Sequence, residues 1–136
     1  MDFGKSLIIS ASAMRAQGQR MQLIAENLAN ANSLPISPEK EPYRRKIPSF
    51  ASALDRASGQ RTVKLGEVLR DKGEFEKRYD PAHPGADADG YVRVPNVNAL
   101  IEMMDMREAQ RSYEANLSTI ETAKLMLKRT LELLKA

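Results

Sequence analysis

From residue 97 to the end, the chain passes without a proline or glycine, and seam positions return in alternating steps of four and three. Ala99, Met103, Met106, Gln110, Tyr113, Leu117, Ile120, Lys124, Leu127, Leu131 and Leu134 mark the a/d repeat of a helix that packs along another helix for several heptads. At 1.5 Å per residue such a helix is roughly 55–60 Å long, more than the diameter of a small domain. So short a chain has little of its own to bury against it. A second long helix, or other subunits, must cover the seam.

Residues 5–31 supply the matching pattern: Leu7, Ala11, Met14, Gly18, Met21, Ala25 and Leu28 follow the same alternation. Gly18 costs about 1 kcal/mol relative to alanine in a helix, and its seam position points to close approach of another backbone. Asn30, Asn32, Ser33 and Pro35 mark the stop. Small residues dilute the seam, so a two-helix hairpin alone is marginal and neighbouring copies are expected to complete it. The alternative is a monomeric bundle whose open faces the middle segment covers.

Between the helices the character changes. Prolines at 35, 38, 42, 48, 81, 84 and 95 exclude long helices. Strand-like runs lie at residues 43–47, 63–69, 75–79 and 91–94. The second and third read as arms of a β-hairpin joined through Asp71, Lys72 and Gly73, and residues 46–57 could hold one helical turn. The expected fold class is mainly α: two long terminal helices pairing as an antiparallel coiled coil, with a small β-rich middle insert. The segments are 1–32, 33–95 and 96–136.

Composition adds little that competes with this. Charged residues make up 29 %, hydrophobic ones 42 % and aromatics 5 %, with seven methionines and no tryptophan. Methionine fills irregular helix–helix seams adaptively. A net charge of +3 is too weak to imply nucleic acid without a concentrated patch, and Arg44, Arg45 and Lys46 read as a solvated or partner-facing cluster. With no cysteine there is no disulfide framework or thiol metal site. The amino terminus lacks the basic and long apolar regions of a cleaved secretion signal, and no run is long and apolar enough for a membrane helix.

Candidate chemistry fails on inspection. His83 has no cysteine or second histidine to share a metal. Asp87, Asp89 and Gly90 resemble the start of a calcium loop, but Gly85 and Asn96 stand where that pattern needs acids, so a tight turn leading into a strand is the better reading. Glu102, Asp105 and Glu108, beside Arg107 and Arg111, read as a charged exposed face. No catalytic, cofactor-binding or metal residues are expected, and the chain is read as no enzyme.

Four stretches carry a resemblance. Residues 12–31 end in Asn27-Leu28-Ala29-Asn30; Pro42-Tyr43-Arg44-Arg45-Lys46 follows. Residues 87–98, containing Asp87, Gly90, Pro95 and Asn96, lead into Glu102-Met103-Met104, and Arg111-Ser112-Tyr113-Glu114-Ala115-Asn116 lies within the last helix. Together they resemble the flagellar rod, hook and hook-associated proteins, and within that axial family the proximal rod proteins of the basal body. The similarity covers nearly the whole chain and is least specific over about residues 50–80.

The resemblance implies a structural subunit of the axial drive shaft, in the periplasmic part of the flagellar basal body. It implies export by the flagellar type III apparatus without signal cleavage, and self-assembly. Implied partners are other rod proteins (FlgB, FlgF and FlgG) and copies of itself, with FliE and the MS ring protein FliF nearby, and neither nucleic acid nor direct membrane insertion. Leu7, Met14, Gly18, Met21, Leu28, Tyr113, Leu117, Ile120, Leu127 and Leu131 are the expected helix-packing and assembly positions. Asn27 and Asn30 are expected to cap or terminate the first helix. The rival readings are a cytoplasmic coiled-coil adaptor and a nucleic-acid-binding helical protein.

Overall fold

The computed structural model describes residues 3–135. In order, the elements are α1 (Phe3–Asn30), β1 (Lys46–Ile47), β2 (Phe50–Leu54), β3 (Arg61–Leu65), β4 (Leu69–Arg70), β5 (Lys77–Tyr79), β6 (Tyr91–Arg93) and α2 (Ala99–Lys135). Two long helices flank a small strand-containing middle in sequence. The helix ends are specified locally. Asn98 caps α2, its Oδ1 accepting from the N–H groups of Leu100 and Ile101 at 3.0 and 3.4 Å. At the end of α1 the Asn30 amide donates back to the Glu26 carbonyl at 2.9 Å, and Ser33 closes on the Asn30 carbonyl.

The described residues form two compact units, each drawing on both helices and on the middle. The first takes Met1–Met21, Ser49–Glu67 and Arg107–Ala136. Its β2–β3 hairpin is antiparallel, with Phe50 opposite Leu65 and Leu54 opposite Arg61. The turn closes on Asp55, whose carboxylate receives the Ser58 hydroxyl at 2.5 Å and the Ala57 N–H at 3.3 Å. Those two bonds hold its carboxyl below the usual carboxylate range. Gly59 supplies the positive φ of 68° that the turn needs. The hairpin is tied to α1 by the Val63 N–H donating to Ser12 Oγ at 3.2 Å and by Arg20 over the Phe50 ring. Ala16, Ala109 and Ala123 are buried in this unit, and Arg20 meets Glu108 at 3.5 Å.

The second unit takes Gln22–Pro48 and Val68–Met106. Here β1 pairs with β4 and β5 with β6, both antiparallel. Ile24 and Val92 are its buried apolar side chains, beside buried Asn27 and Glu102. The loop before β6 is wound tightly. Asp87 Oδ1 accepts from Asp89 and Tyr91 N–H groups, and Gly90 takes φ 85°. That is the tight turn expected of this stretch. Gly85 leaves no room: a Cβ there would lie 2.2 Å from the Pro35 carbonyl oxygen. Gly85→Ala is therefore expected to cost about 1–3 kcal/mol, read as a lowered midpoint in urea.

Two sequence expectations for the middle fail. Residues 63–69 and 75–79 do not pair with each other; residues 61–65 pair back onto 50–54, and 77–79 pair forward onto 91–93. Gly66 is the reason, since it ends β3 with its Cα so close to Ser49 that a Cβ would sit 2.8 Å from the hydroxyl. Residues 46–57 hold no helical turn; they form β1, β2 and the start of the hairpin turn.

The covered stripe of α2 also differs from the expected seam. Its less exposed positions run Glu102, Met106, Ala109, Tyr113, Asn116, Ile120, Ala123 and Leu127, again in fours and threes. Met103, Gln110, Leu117 and Lys124 are exposed, each replaced by the residue before it. On α1, Leu7, Met14, Gly18, Met21 and Leu28 are half-buried, while Ala11 and Ala25 are exposed. Among the apolar residues of α2, small side chains are the buried ones: Ala109 and Ala123 are buried, whereas Leu117 and Leu131 are 40 % and 58 % exposed.

Candidate functional site

The second unit is organised around Asn27, which is fully buried near the end of α1. Its amide makes every bond available to it. Nδ2 donates to the Lys46 carbonyl at 2.8 Å and to Glu102 Oε2 at 3.0 Å. Oδ1 accepts from the Tyr43 hydroxyl at 2.8 Å and the Lys46 N–H at 2.9 Å. Asn27 thus engages both backbone groups of Lys46, as a neighbouring strand would, and holds the strand β1 against the helix. The paired donor and acceptor fix which way the amide points.

Residues 43–46 are the other half of this clasp. The Arg45 guanidinium binds Glu102 and, at 3.3 Å, Asp105. Its backbone N–H donates to Asn96 Oδ1 at 2.8 Å. Arg44 caps the carbonyls of Asp71 and Gly73 at 3.0 and 3.1 Å and stacks 4.2 Å from the Phe75 ring centre. Lys46 pairs with Glu26. The three cations are consequently internal fasteners, a correction to their reading as a solvated or partner-facing patch. Glu102 and Asp105 are corrected likewise: Glu102 is only 1 % exposed, and both carboxylates receive Arg45. A buried carboxylate needs such a partner, and its place in the first turn of α2 adds the positive end of the helix dipole.

Burial pushes the Tyr43 phenol up to about 12, with the Glu26 and Glu102 charges acting in the same direction. A folded value above the unfolded one of 10.0 stabilises the fold fully below pH 10, and that contribution is lost as pH rises through 12. Ultraviolet difference titration of the four tyrosines should therefore show one ionising near pH 12 in the folded protein and with the others after unfolding.

The remaining expected positions are placed as follows. Asn30 bonds the α1 backbone, as a terminating residue does, but Asn27 caps nothing; it bridges α1, residues 43–46 and α2. Asn96 ties Arg45 to the carbonyls of Asp71 and Gly73, the latter two at 3.4 Å. Pro95 is buried beside it, and Asp87 and Gly90 shape the turn into β6. In the first unit Asn116 donates to the Ser112 carbonyl at 2.8 Å, Tyr113 is half-buried and Arg111 is exposed. Tyr43, Arg45 and Glu102 were absent from the expected site, although all three stand in the stretches that carry the family resemblance.

His83 Nδ1 accepts from the Gly85 N–H at 2.9 Å. Among the described residues no group of three or more His, Asp or Glu is placed to hold a metal ion. None of their helices is long and apolar enough to cross a membrane. What the arrangement does is mechanical: it fastens two helices and a strand through saturated polar contacts.

By sequence the chain is similar to flagellar basal-body rod proteins. Residues 88–133 match the family described as "Flagellar basal body rod FlgEFG protein C-terminal". The chain is 47 % identical over 128 residues to the "Flagellar basal-body rod protein FlgC" of Agrobacterium fabrum, covering 94 % of this chain and 92 % of that protein. It is 42 % identical to the FlgC of Salmonella typhimurium, covering 92 % of each, and 40 % identical to that of Bacillus subtilis, covering 94 % and 95 %. The chain belongs to the FlgC family of flagellar basal-body rod proteins.

Proposed function

We propose that this chain is a structural, non-catalytic subunit of the proximal rod of the bacterial flagellum, built into the axial shaft beside copies of itself and other rod proteins. Family membership over nearly the full chain carries the reading. The supporting physical feature is the exposed apolar surface of α2, where Leu100, Met104, Leu117, Leu131, Leu133 and Leu134 are 40–79 % exposed. So many large apolar side chains on one helix need cover from neighbours.

Within this reading α1 and α2 pair as an antiparallel coiled coil. Support comes from the order of contacts inside each unit. Asn27 meets Glu102 in one; in the other Arg20 meets Glu108, while Phe3 and Ser6 share a cleft of about 370 Å³ with Ser118, Ala123 and Met126. The partner positions rise on α2 as they fall on α1. FlgB, FlgF and FlgG are the proposed rod neighbours, with FliE and the MS ring protein FliF close by. The location is the periplasmic rod, reached through the flagellar type III apparatus without signal cleavage.

Leu117→Glu tests the packing role. Because Leu117 is exposed on the single chain, the variant should keep its circular dichroism, with a stability within about 0.5 kcal/mol of the parent. It should nevertheless fail to enter rods, leaving cells non-motile. Normal motility with normal incorporation would remove Leu117 from the interface.

A further inference from the structure

The β5–β6 ribbon presents a face that its own unit does not use. Register sets Lys77 opposite Arg93 and Tyr79 opposite Tyr91. By alternation those four side chains share one face, and Arg78 and Val92 share the other, where Val92 is fully buried. The four therefore turn outward, with Tyr79 65 % and Tyr91 42 % exposed. The two rings meet edge to face at 5.3 Å. The Tyr79 ring lies over Gly90, where a Cβ would come within 3.0 Å of it.

One rung along stand the two cations. Arg93 spends its guanidinium on neutral carbonyls, those of Pro38 at 3.1 Å and Lys40 at 3.4 Å, and no ion pair holds it among the described residues. A cavity of about 240 Å³ is lined by Lys77, Tyr91 and Arg93 together with Pro38, Gly85 and Asp87. Asp87 is the carboxylate present, and its Oδ1 already receives two backbone N–H groups. The backbone is also open on one side. Hydrogen bonds from Val94 N–H to the Glu76 carbonyl and from Asp80 N–H to the Gly90 carbonyl set the paired rungs, which turns the N–H and C=O of Lys77 and Tyr79 away from β6. The corresponding groups of Tyr91 are taken by Asp87, whereas the ribbon has two strands and, among the described residues, no strand pairs with the outer edge of β5.

We propose that this face docks an extended acidic segment of another protein. An aspartate or glutamate lies beside Lys77 on the face it shares with Arg93, an apolar side chain two residues further on packs against Tyr79, and the backbone bonds to the edge of β5. Positive charge on one rung selects the acid, and the tyrosine pair selects the apolar neighbour. Side chains two apart in an extended chain are spaced by about 6.6–6.8 Å, the spacing of the rungs themselves. The open edge selects a peptide over an acidic glycan, because only a peptide completes it. The site stands independently of the rod reading.

The test is titration of the full-length protein, followed by backbone amide resonances, with a synthetic octapeptide that carries glutamate and valine in turn at every second residue and serine between them, so that acid and apolar side chains share one face. The expected result is movement of the Lys77 and Tyr79 amides and affinity that falls with salt. Lys77→Glu and Tyr79→Ala should each weaken binding about tenfold, and Arg78→Glu, on the opposite face, should not. The same peptide with lysine in place of glutamate binding equally well would overturn the proposal. So would unmoved amides at millimolar peptide, which would leave Lys77 as a charge that keeps a short edge from pairing. Binding of an oligogalacturonate in place of the peptide would overturn it too.

Discussion

Replacing Asn27 with alanine should lower the stability of the second unit by about 3–4 kcal/mol, seen as a fall of roughly 12–30 °C in its thermal midpoint. The substitution removes little apolar area, so packing alone predicts a much smaller loss. The effect comes from what is left behind: the Lys46 N–H and carbonyl, the Tyr43 hydroxyl and Glu102 Oε2 all lose a partner at a fully buried position. Buried polar groups without partners cost about 1–3 kcal/mol each, and partial entry of water offsets some of that sum. Asn27→Asp is the sharper variant. It keeps the shape and the acceptor but turns the donor facing Glu102 into a second carboxylate, so it should be no better tolerated than alanine. Equal stability of parent and alanine variant would mean the amide is not the fastener.

The second large effect is expected at Glu102. Glu102→Ala leaves the Arg45 guanidinium with only Asp105, and Asn27 Nδ2 with one bond of two. The loss should be about 3 kcal/mol, at the lower end for breaking a buried pair because Asp105 remains. A double-mutant cycle with Arg45→Met separates the terms. Coupling of about 1–3 kcal/mol is expected between the two positions, whereas Arg45→Met paired with Leu117→Ala should be additive. No coupling between Arg45 and Glu102 would show that the carboxylate is held by the helix start and Asn27 alone. Both clasp variants should also lower rod incorporation, but through stability. Leu117→Glu should lower it with the fold intact, and that contrast separates fastening from docking.

How far the sequence disclosed this depends on the element. The long helices were plain, because proline-free runs with spacing of four and three leave few alternatives, and Asn98 and Asn30 sit where helix ends need polar side chains. The phase of the buried stripe was not. Large apolar residues such as Met103, Leu117 and Leu131 drew the seam toward themselves, while the chain buries Ala109 and Ala123. On α2 small side chains lie inside and large apolar ones outside, so apolar size alone is a poor guide to the interior of this chain. The strands were misjoined because pairing between short segments is set by turns and side-chain ties, here Gly66, Asp55 and Asp87, which a propensity pattern does not weigh. In the site, Asn27, Asn96, Asp87 and Gly90 came forward through the family resemblance. Their roles did not, since one amide reaching residues 16 to 75 positions away leaves no local pattern. Arg44, Arg45, Lys46 and Glu102 looked like surface charge for the same reason. Their partners are remote in sequence.

The most direct test of the rod assignment is quantitative mass spectrometry of purified flagellar basal bodies from cells that make this chain, after loosely bound proteins are stripped. The account predicts that the chain remains, in a fixed ratio to the other rod proteins. Its absence from those particles, with abundant chain in the cytosol, would contradict a structural role in the rod.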